Sequence, residues 1–319
     1  MRLLSVLCSA LALTTTSASQ SLRRGLVDAD VVIIGRQVGK KPHGDELVMH
    51  RVQILDPLRG ISGDRAVTVL DWPKLSLHNR PTPRQSRLFC LQDASAAALR
   101  LGLPSSGGPY YKLLGWAGSH PLISADRDKD PIVQFARVLT NSDRGVAPGE
   151  TAAALAQLAI SGDVKVRTEA ARYLAERGDL QSKITSVHWT QLMASATGEV
   201  EDIDRKIALA TLCAEQRLDG LVDALAVSLG PVTDPRYARC VGRISKALHG
   251  ERATEILGRR LRNLAKPKDR KMLLIAIGAS NTQSALDALL KMNQRDEAVI
   301  AGLREHRSKR AQDAVKSRR

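Results

Sequence analysis

Apolar residues change their period near residue 149. Ahead of that point they fall in short runs bounded by Gly, Pro and Asp. Val31-Val32-Ile33-Ile34-Gly35 is a β-branched run. Leu47-Val48-Met49 and Val52-Gln53-Ile54 form a second, with Asp56-Pro57 expected to end it. Val67 and Val69 alternate within Ala66 to Leu70, and Arg87-Leu88-Phe89-Cys90-Leu91 is a further run. Runs of this length and composition predict strands. Ser95 to Leu101 predicts a short helix, and Tyr110 to Trp116 and Pro121 to Ile123 are expected to close the sheet.

Beyond residue 149 the spacing is helical. Leu155, Leu158 and Ala159 stand at i, i+3, i+4 within Glu150 to Ile160. Asp163 is expected to cap a second helix whose buried side is Val166, Ala170, Ala171 and Leu174, with Gly178-Asp179 ending it. That second helix recurs from Asp204 to Leu212, from Asp234-Pro235-Arg236 through Cys240 and Ile244, and from Asp269-Arg270 through Leu273 and Ile277. Pro235 suits a first helical turn, where a missing donor does no harm. Ala170, Ala208, Cys240 and Leu273 are equivalent positions, separated by 38, 32 and 33 residues. Partner helices are expected over 187–196, 218–229 and 252–264, and a last pair over 283–292 and 296–306.

The stretch Asp163 to Leu174 resembles the second helix of a HEAT repeat, and its recurrence falls near helical-repeat spacing. The resemblance implies an α-solenoid without an interior active site, offering a long surface for protein contact. In the first half, Ala29 to Arg36, Val52 to Gly60, Val67 with Val69, and Leu88 to Leu91 resemble the netrin/TIMP-like domain, a small barrel related to OB folds. Inhibitors of that type seat an N-terminal cysteine on a catalytic zinc. Here the expected mature N-terminus is Gln20 and the domain holds only Cys90, so that activity does not carry over. The expected fold class is a β domain followed by an all-α domain. The layout is a signal peptide over 1–19, a small β-barrel or sandwich-like domain over 20–139, a linker over 140–149, helical repeats over 150–306 and a frayed basic tail over 307–319.

Arg2, the apolar Leu3 to Leu13 and the small residues Ser17-Ala18-Ser19 read as a cleaved secretory signal. No later segment approaches the ~20 apolar residues that span a bilayer, so the expected location is periplasmic or secreted. Cys90, Cys213 and Cys240 then remain, an odd number without zinc-ligand spacing. Neither a metal nor a cofactor is indicated. Gly35 to Lys40 lacks the spacing of a phosphate loop, and no G-x-S-x-G or H-E-x-x-H occurs. An enzyme would have to draw on His43, His50, His78 or Cys90 in the β domain.

The net charge is +15, and it is concentrated. Residues 235–271 hold 12 Lys or Arg against 3 acids. Arg259, Arg260, Arg262, Lys266, Lys268, Arg270 and Lys271 form the candidate anion-binding surface. Such clusters bind polyanions by releasing counterions. For an exported chain the partners are an unidentified protein, an envelope polymer, anionic headgroups or nucleic acid. Tyr173 and Tyr237 lie near basic residues but do not make a base-stacking platform. The chain therefore reads as a non-catalytic binding or scaffold protein, with polyanion binding and a β-domain enzyme as the alternatives.

Overall fold

The computed structural model describes residues 22–44, 47–61, 63–71, 84–104, 108–114, 121–141, 145–198, 202–230, 234–262 and 267–317. The expected signal peptide, with Cys8 and Gln20, lies outside them, as does His78. Contacts divide the chain into two compact units, Met1–Tyr173 and Leu174–Arg319.

The first unit opens with α1 (Leu22–Asp28) and the strands β1 (Val31–His43), β2 (Leu47–Arg59), β3 (Ala66–Asp71) and β4 (Ser86–Asp93). The short helix α2 (Ser95–Arg100) and β5 (Tyr110–Leu113) follow. The strands close a barrel in the order β1-β2-β3-β5-β4. All neighbours are antiparallel except β3 and β5. Side chains alternate across a strand, and Val31, Ile33, Val52, Val67, Val69, Phe89 and Leu91 meet inside with Tyr111. On the outer wall, Leu70 and Tyr110 pack with Ala98 of α2.

Asp56-Pro57 does not end the second strand, as the sequence suggested. β2 runs on to Arg59 because the ladder is broken there in any case: Val32 pairs with Arg59 but Ile33 with Pro57, leaving Leu58 bulged. On its other side β2 pairs with β3 only as far as Gln53. A proline at a bulge with one open edge removes no ladder hydrogen bond. Pro121 to Ile123 contributes a single bridge, Leu122 to Arg87, rather than a strand.

The rest of this unit is helical. Asp130 caps α3 (Pro131–Thr140) by accepting from the Ile132 and Val133 amides. Arg137 of α3 pairs with Asp56 of β2 at 2.8 Å, tying the helix to the barrel. Helix α3 packs on α4 (Pro148–Ser161), and α5 (Val164–Glu176) comes next. Along α5 the four positions expected to be buried, Val166, Ala170, Ala171 and Leu174, are all inaccessible to solvent.

The second unit contains α6 (Gly178–Gln181), α7 (Ser186–Thr197), α8 (Ile203–Glu215), α9 (Leu221–Ser228) and α10 (Pro235–His249). A 3-10 turn (Gly250–Arg252) leads into α11 (Ala253–Arg262), and then come α12 (Pro267–Ser280), α13 (Gln283–Lys291), α14 (Glu297–Glu305) and α15 (Lys309–Lys316). Helix α9 touches α7 and α11, making one row. The 3-10 turn extends that row to α13, with the Glu251 carboxylate accepting from Ser284 Oγ at 2.7 Å. Helices α8, α10, α12 and α14 stack in series as a second row. They begin at residues 203, 235, 267 and 297, at steps of 32, 32 and 30 residues.

Small residues set the spacing of the second row. A Cβ on Gly242 of α10 would strike the Ala276 carbonyl of α12, and one on Gly278 of α12 would strike the Gly302 carbonyl of α14. In the first helices of the unit Tyr237 of α10 is the node. Its hydroxyl donates to the Ala196 carbonyl of α7 at 3.1 Å and shares a 2.7 Å bond with Ser228 of α9. Lys206 of α8 lies 4.7 Å over its ring.

Three local expectations need correction. Helix α8 begins at Ile203, ahead of Asp204, and Asp202 caps it by accepting from the Arg205 amide. Helix α12 starts at Pro267, ahead of Asp269-Arg270. The described part of the basic tail is helical rather than frayed, because Ser308 caps α15 and Ala311 is buried.

Candidate anion-binding surface

Ion pairing sorts the cations of 235–271 into two groups. Arg236 meets Asp204 at 3.0 Å and Asp234 at 2.9 Å. Arg239 holds Glu305 with two bonds of 2.9 and 2.8 Å. Arg270 lies 3.6 Å from Asp296, and Lys246 donates to the Asn281 carbonyl. Hydrogen bonds to Asp234 and to Glu305 raise the pKa of Arg236 and Arg239 respectively. These cations are occupied within the fold. These four ion pairs lie on the second row and couple one helix to another or to its cap.

The remainder have no such partner. Arg243, Arg252, Arg259, Arg260, Arg262 and Lys271 make no salt bridge with a described residue. Helix α11 positions three of them. It buries Ala253, Ile256 and Leu257, so Arg259 and Arg262 are turned outward with Glu255. Arg260 is half-buried, and its Nε has no hydrogen-bond partner. Lys271 is exposed at the start of the adjoining α12. Of the seven cations picked out in the sequence, Arg259, Arg260, Arg262 and Lys271 thus stand unpaired on two packed helices, while Arg270 is paired. Lys266 and the side chain of Lys268 lie outside the described part.

The residues considered for catalysis are not brought together. His50 is buried on the inner barrel wall, two residues along β2 from Val52, and its Nε2 lies 3.4 Å from Asp71 Oδ2. Its Nδ1 has no hydrogen-bond partner. Cys90 sits between the inward residues Phe89 and Leu91 and therefore faces the outer wall. Burial pushes its thiol up to about 12, the opposite of an activated nucleophile. His43 is exposed near the Leu101 carbonyl. Asp71 was missed in the sequence; its place two residues after Val69 puts it on the inner wall once the strand is known. Among the described residues, no group of three or more His, Cys, Asp or Glu is placed to hold a metal.

A cleft of about 380 Å³ in the first unit is lined by Lys129, Gln134, Gln157, Leu158, Ser161 and Asp163. It includes none of the candidate catalytic or anion-binding residues. Tyr237, noted beside basic residues, is fully buried and cannot stack on a base. No described helix is long and apolar enough to cross a membrane. No family model matches the chain, and it matches neither a curated protein nor a solved structure.

Proposed function

We propose that this chain is an exported, non-catalytic binding protein whose helical half is a HEAT-like solenoid holding an anionic macromolecular partner. The observation that carries the reading is the division of the cations. Arg236, Arg239 and Arg270 are neutralised by fixed acids, while Arg259, Arg260, Arg262 and Lys271, on α11 and the start of α12, make no salt bridge with a described residue. Clustered charges within a Debye length of about 8 Å at physiological salt reinforce one another at a ligand. The regular helical step supports a solenoid, in which successive helix pairs bury a continuous core and leave one face for binding. Export is supported by the Arg2, Leu-rich, Ser17-Ala18-Ser19 leader.

The test is a titration with heparin and with duplex DNA at several salt concentrations, comparing the wild type with an Arg259→Glu, Arg260→Glu, Arg262→Glu triple variant. Each lost contact of this kind should flatten the slope of log K against log salt by roughly one unit, without regard to DNA sequence. Equal affinity and equal slope for the two proteins would overturn the reading. N-terminal sequencing after cell fractionation tests export: a chain starting near Gln20 outside the cytoplasm supports it, and an intact Met1 in the cytosol refutes it.

A further inference from the structure

The outer wall of the barrel brings three cations of the first unit together. The ladder faces Arg36 with Gln53, Gly39 with Arg51 and Lys41 with Met49, and Arg51 also faces Thr68 of β3. Val52 lines the interior, so its neighbours Arg51 and Gln53 point outward, as does Met49, which packs against the outer wall. Arg36 and Lys41 share the outer face with the residues they oppose. Successive rows lie about 7 Å apart along the strands, and long side chains reach across the diagonal between rows. In the middle row Gly39 offers no side chain opposite Arg51, where an added Cβ would sit 3.4 Å from the Arg51 Cβ. Arg36, Arg51 and Lys41 thus surround a notch floored by Gly39. Lys41 and Arg51 are exposed, and their side chains have no ion-pair or hydrogen-bond partner among the described residues. Arg36 donates only to a neutral group, Gln53 Oε1, at 2.8 Å. From this juxtaposition we infer that the wall of β1, β2 and β3 is a second anion-binding site, whose notch takes a sulfate or carboxylate group of an acidic polysaccharide.

The acids of these strands do not offset the notch. Strand β1 has none, Asp56 of β2 is paired with Arg137, and Asp71 of β3 lies on the inner wall beside His50. Charges spaced by less than a Debye length of about 8 Å act together on an anion. Lysines on a sheet edge also guard against edge pairing, and β1 is such an edge beyond Arg36, where its pairing with β4 stops. That role does not account for Arg51, which stands on a strand paired on both sides there. The three strands contain no Phe, Tyr or Trp, so a single-stranded nucleic acid finds no ring on which to stack its bases. Gln53 and Thr68, half-buried beside the cations, instead offer amide and hydroxyl groups suited to sugar hydroxyls.

This site is independent of the one on α11 and is tested apart from it. Heparin and an oligothymidylate of equal charge are titrated at several salt concentrations against the full chain. The background is the Arg259→Glu, Arg260→Glu, Arg262→Glu variant, which silences the helical surface. To it is added either Lys41→Glu with Arg51→Glu, or Gly39→Val, which keeps every charge and fills the notch. A thermal melt of each variant confirms folding, and should Gly39→Val not fold, the charge variant at two exposed positions decides. The background should retain heparin binding. The charge variant should flatten the remaining slope of log K against log salt by roughly two units. Gly39→Val should weaken heparin binding by roughly tenfold, as loss of one charge-assisted hydrogen bond does. If either added variant binds heparin as the background does, the inference is overturned. A background that binds no heparin also overturns it and leaves the surface on α11 standing. A background that binds heparin as the wild type does, and loses it only with the barrel variants, supports this site and removes the one on α11. Oligothymidylate held by the background as tightly as heparin, and released by the charge variant, overturns the polysaccharide as occupant.

Discussion

Arg239 on α10 and Glu305 on α14 are 66 residues apart in the chain and form a two-bond ion pair across the helix that separates them. They can meet because α12 is thin where it passes between α10 and α14. Gly242 and Gly278 bring the helix backbones into contact there, and Gly302 comes within 2.6 Å, measured from an added Cβ, of the Leu274 carbonyl. Helix axes ordinarily lie 8–10 Å apart, the distance depending on the side chains at the contact, and glycine permits the closest approach.

The pair is expected to stabilise the second unit modestly. Its side chains are 39% and 21% exposed, so solvent screens it. Exposed pairs contribute about 0.2–1 kcal/mol, with two-bond Arg–carboxylate geometry toward the upper end. Arg239→Gln, Glu305→Gln and the double variant, measured by urea unfolding, should give a coupling energy of that size that shrinks in high salt. A coupling indistinguishable from zero at low salt would mean that the contact contributes nothing.

The glycines give a stronger and signed prediction. Gly→Ala in a helix is ordinarily favourable by about 0.5–1 kcal/mol, because alanine loses less backbone entropy. At Gly258 of α11 an added Cβ meets nothing within 4 Å, so Gly258→Ala should raise stability by about that amount. At Gly278 the added methyl would overlap the Gly302 carbonyl, and overpacking costs roughly 1–3 kcal/mol. Gly278→Ala should therefore lower the melting temperature while Gly258→Ala raises it. The same sign for both would show that α12 and α14 are not packed backbone to backbone.

Much of this was legible in the chain. Asp234-Pro235 and Asp296 open helices that the sequence shows, whereas Asp130-Pro131 opens a helix inside what was expected to be the β domain. The period fixed which side of α5 is buried, because four apolar positions on one stripe have one way to hide. What the period does not carry is how one helix sits against the next. The contacts of Gly242 and Gly278, and the meeting of Arg239 with Glu305, depend on that register. Pairing also decided the site. In the sequence the cations of 235–271 form one group, and only the fold separates Arg236, Arg239 and Arg270, which face acids brought from elsewhere, from Arg259 and Arg262, which do not. Likewise the partner of His50 became visible only when β2 and β3 were placed side by side.

Tyr237 should be the most sensitive polar side chain of the second unit. Its hydroxyl is bound to groups on α7 and α9 and is wholly buried, and burial is the main cause that raises its pKa. Tyr237→Phe keeps the ring beneath Lys206 but leaves the Ala196 carbonyl without that donor. A buried polar group deprived of its partner costs about 1–3 kcal/mol. Chemical denaturation should show a loss in that range, with the helical circular dichroism of the folded state unchanged. A loss below a few tenths of a kcal/mol, which is the range of ordinary surface substitutions, would show that the hydroxyl is not held as described.

The three described cysteines should be silent toward thiol reagents while the chain is folded. Cys90, Cys213 and Cys240 are buried and free, and burial pushes their pKa values up to about 12, about 12 and about 11. The thiolate is the reactive form, so near pH 8 both access and ionisation oppose reaction. Because each thiol is harder to ionise folded than unfolded, its contribution to stability is fully present below the unfolded pKa near 9 and is lost as pH rises toward 11 to 12. In a Cys8→Ser chain, an aromatic disulfide reagent at pH 8 should therefore label none of the three in native buffer and all three in guanidinium. Stability measured between pH 8 and 11 should fall. Rapid native labelling of Cys90 would restore it as a candidate nucleophile and would contradict its position on the covered outer wall of β4. Rapid labelling of Cys240 alone would instead show that α8 and α10 separate readily, since Cys240 lies 3.9 Å from Thr211 across that helix contact.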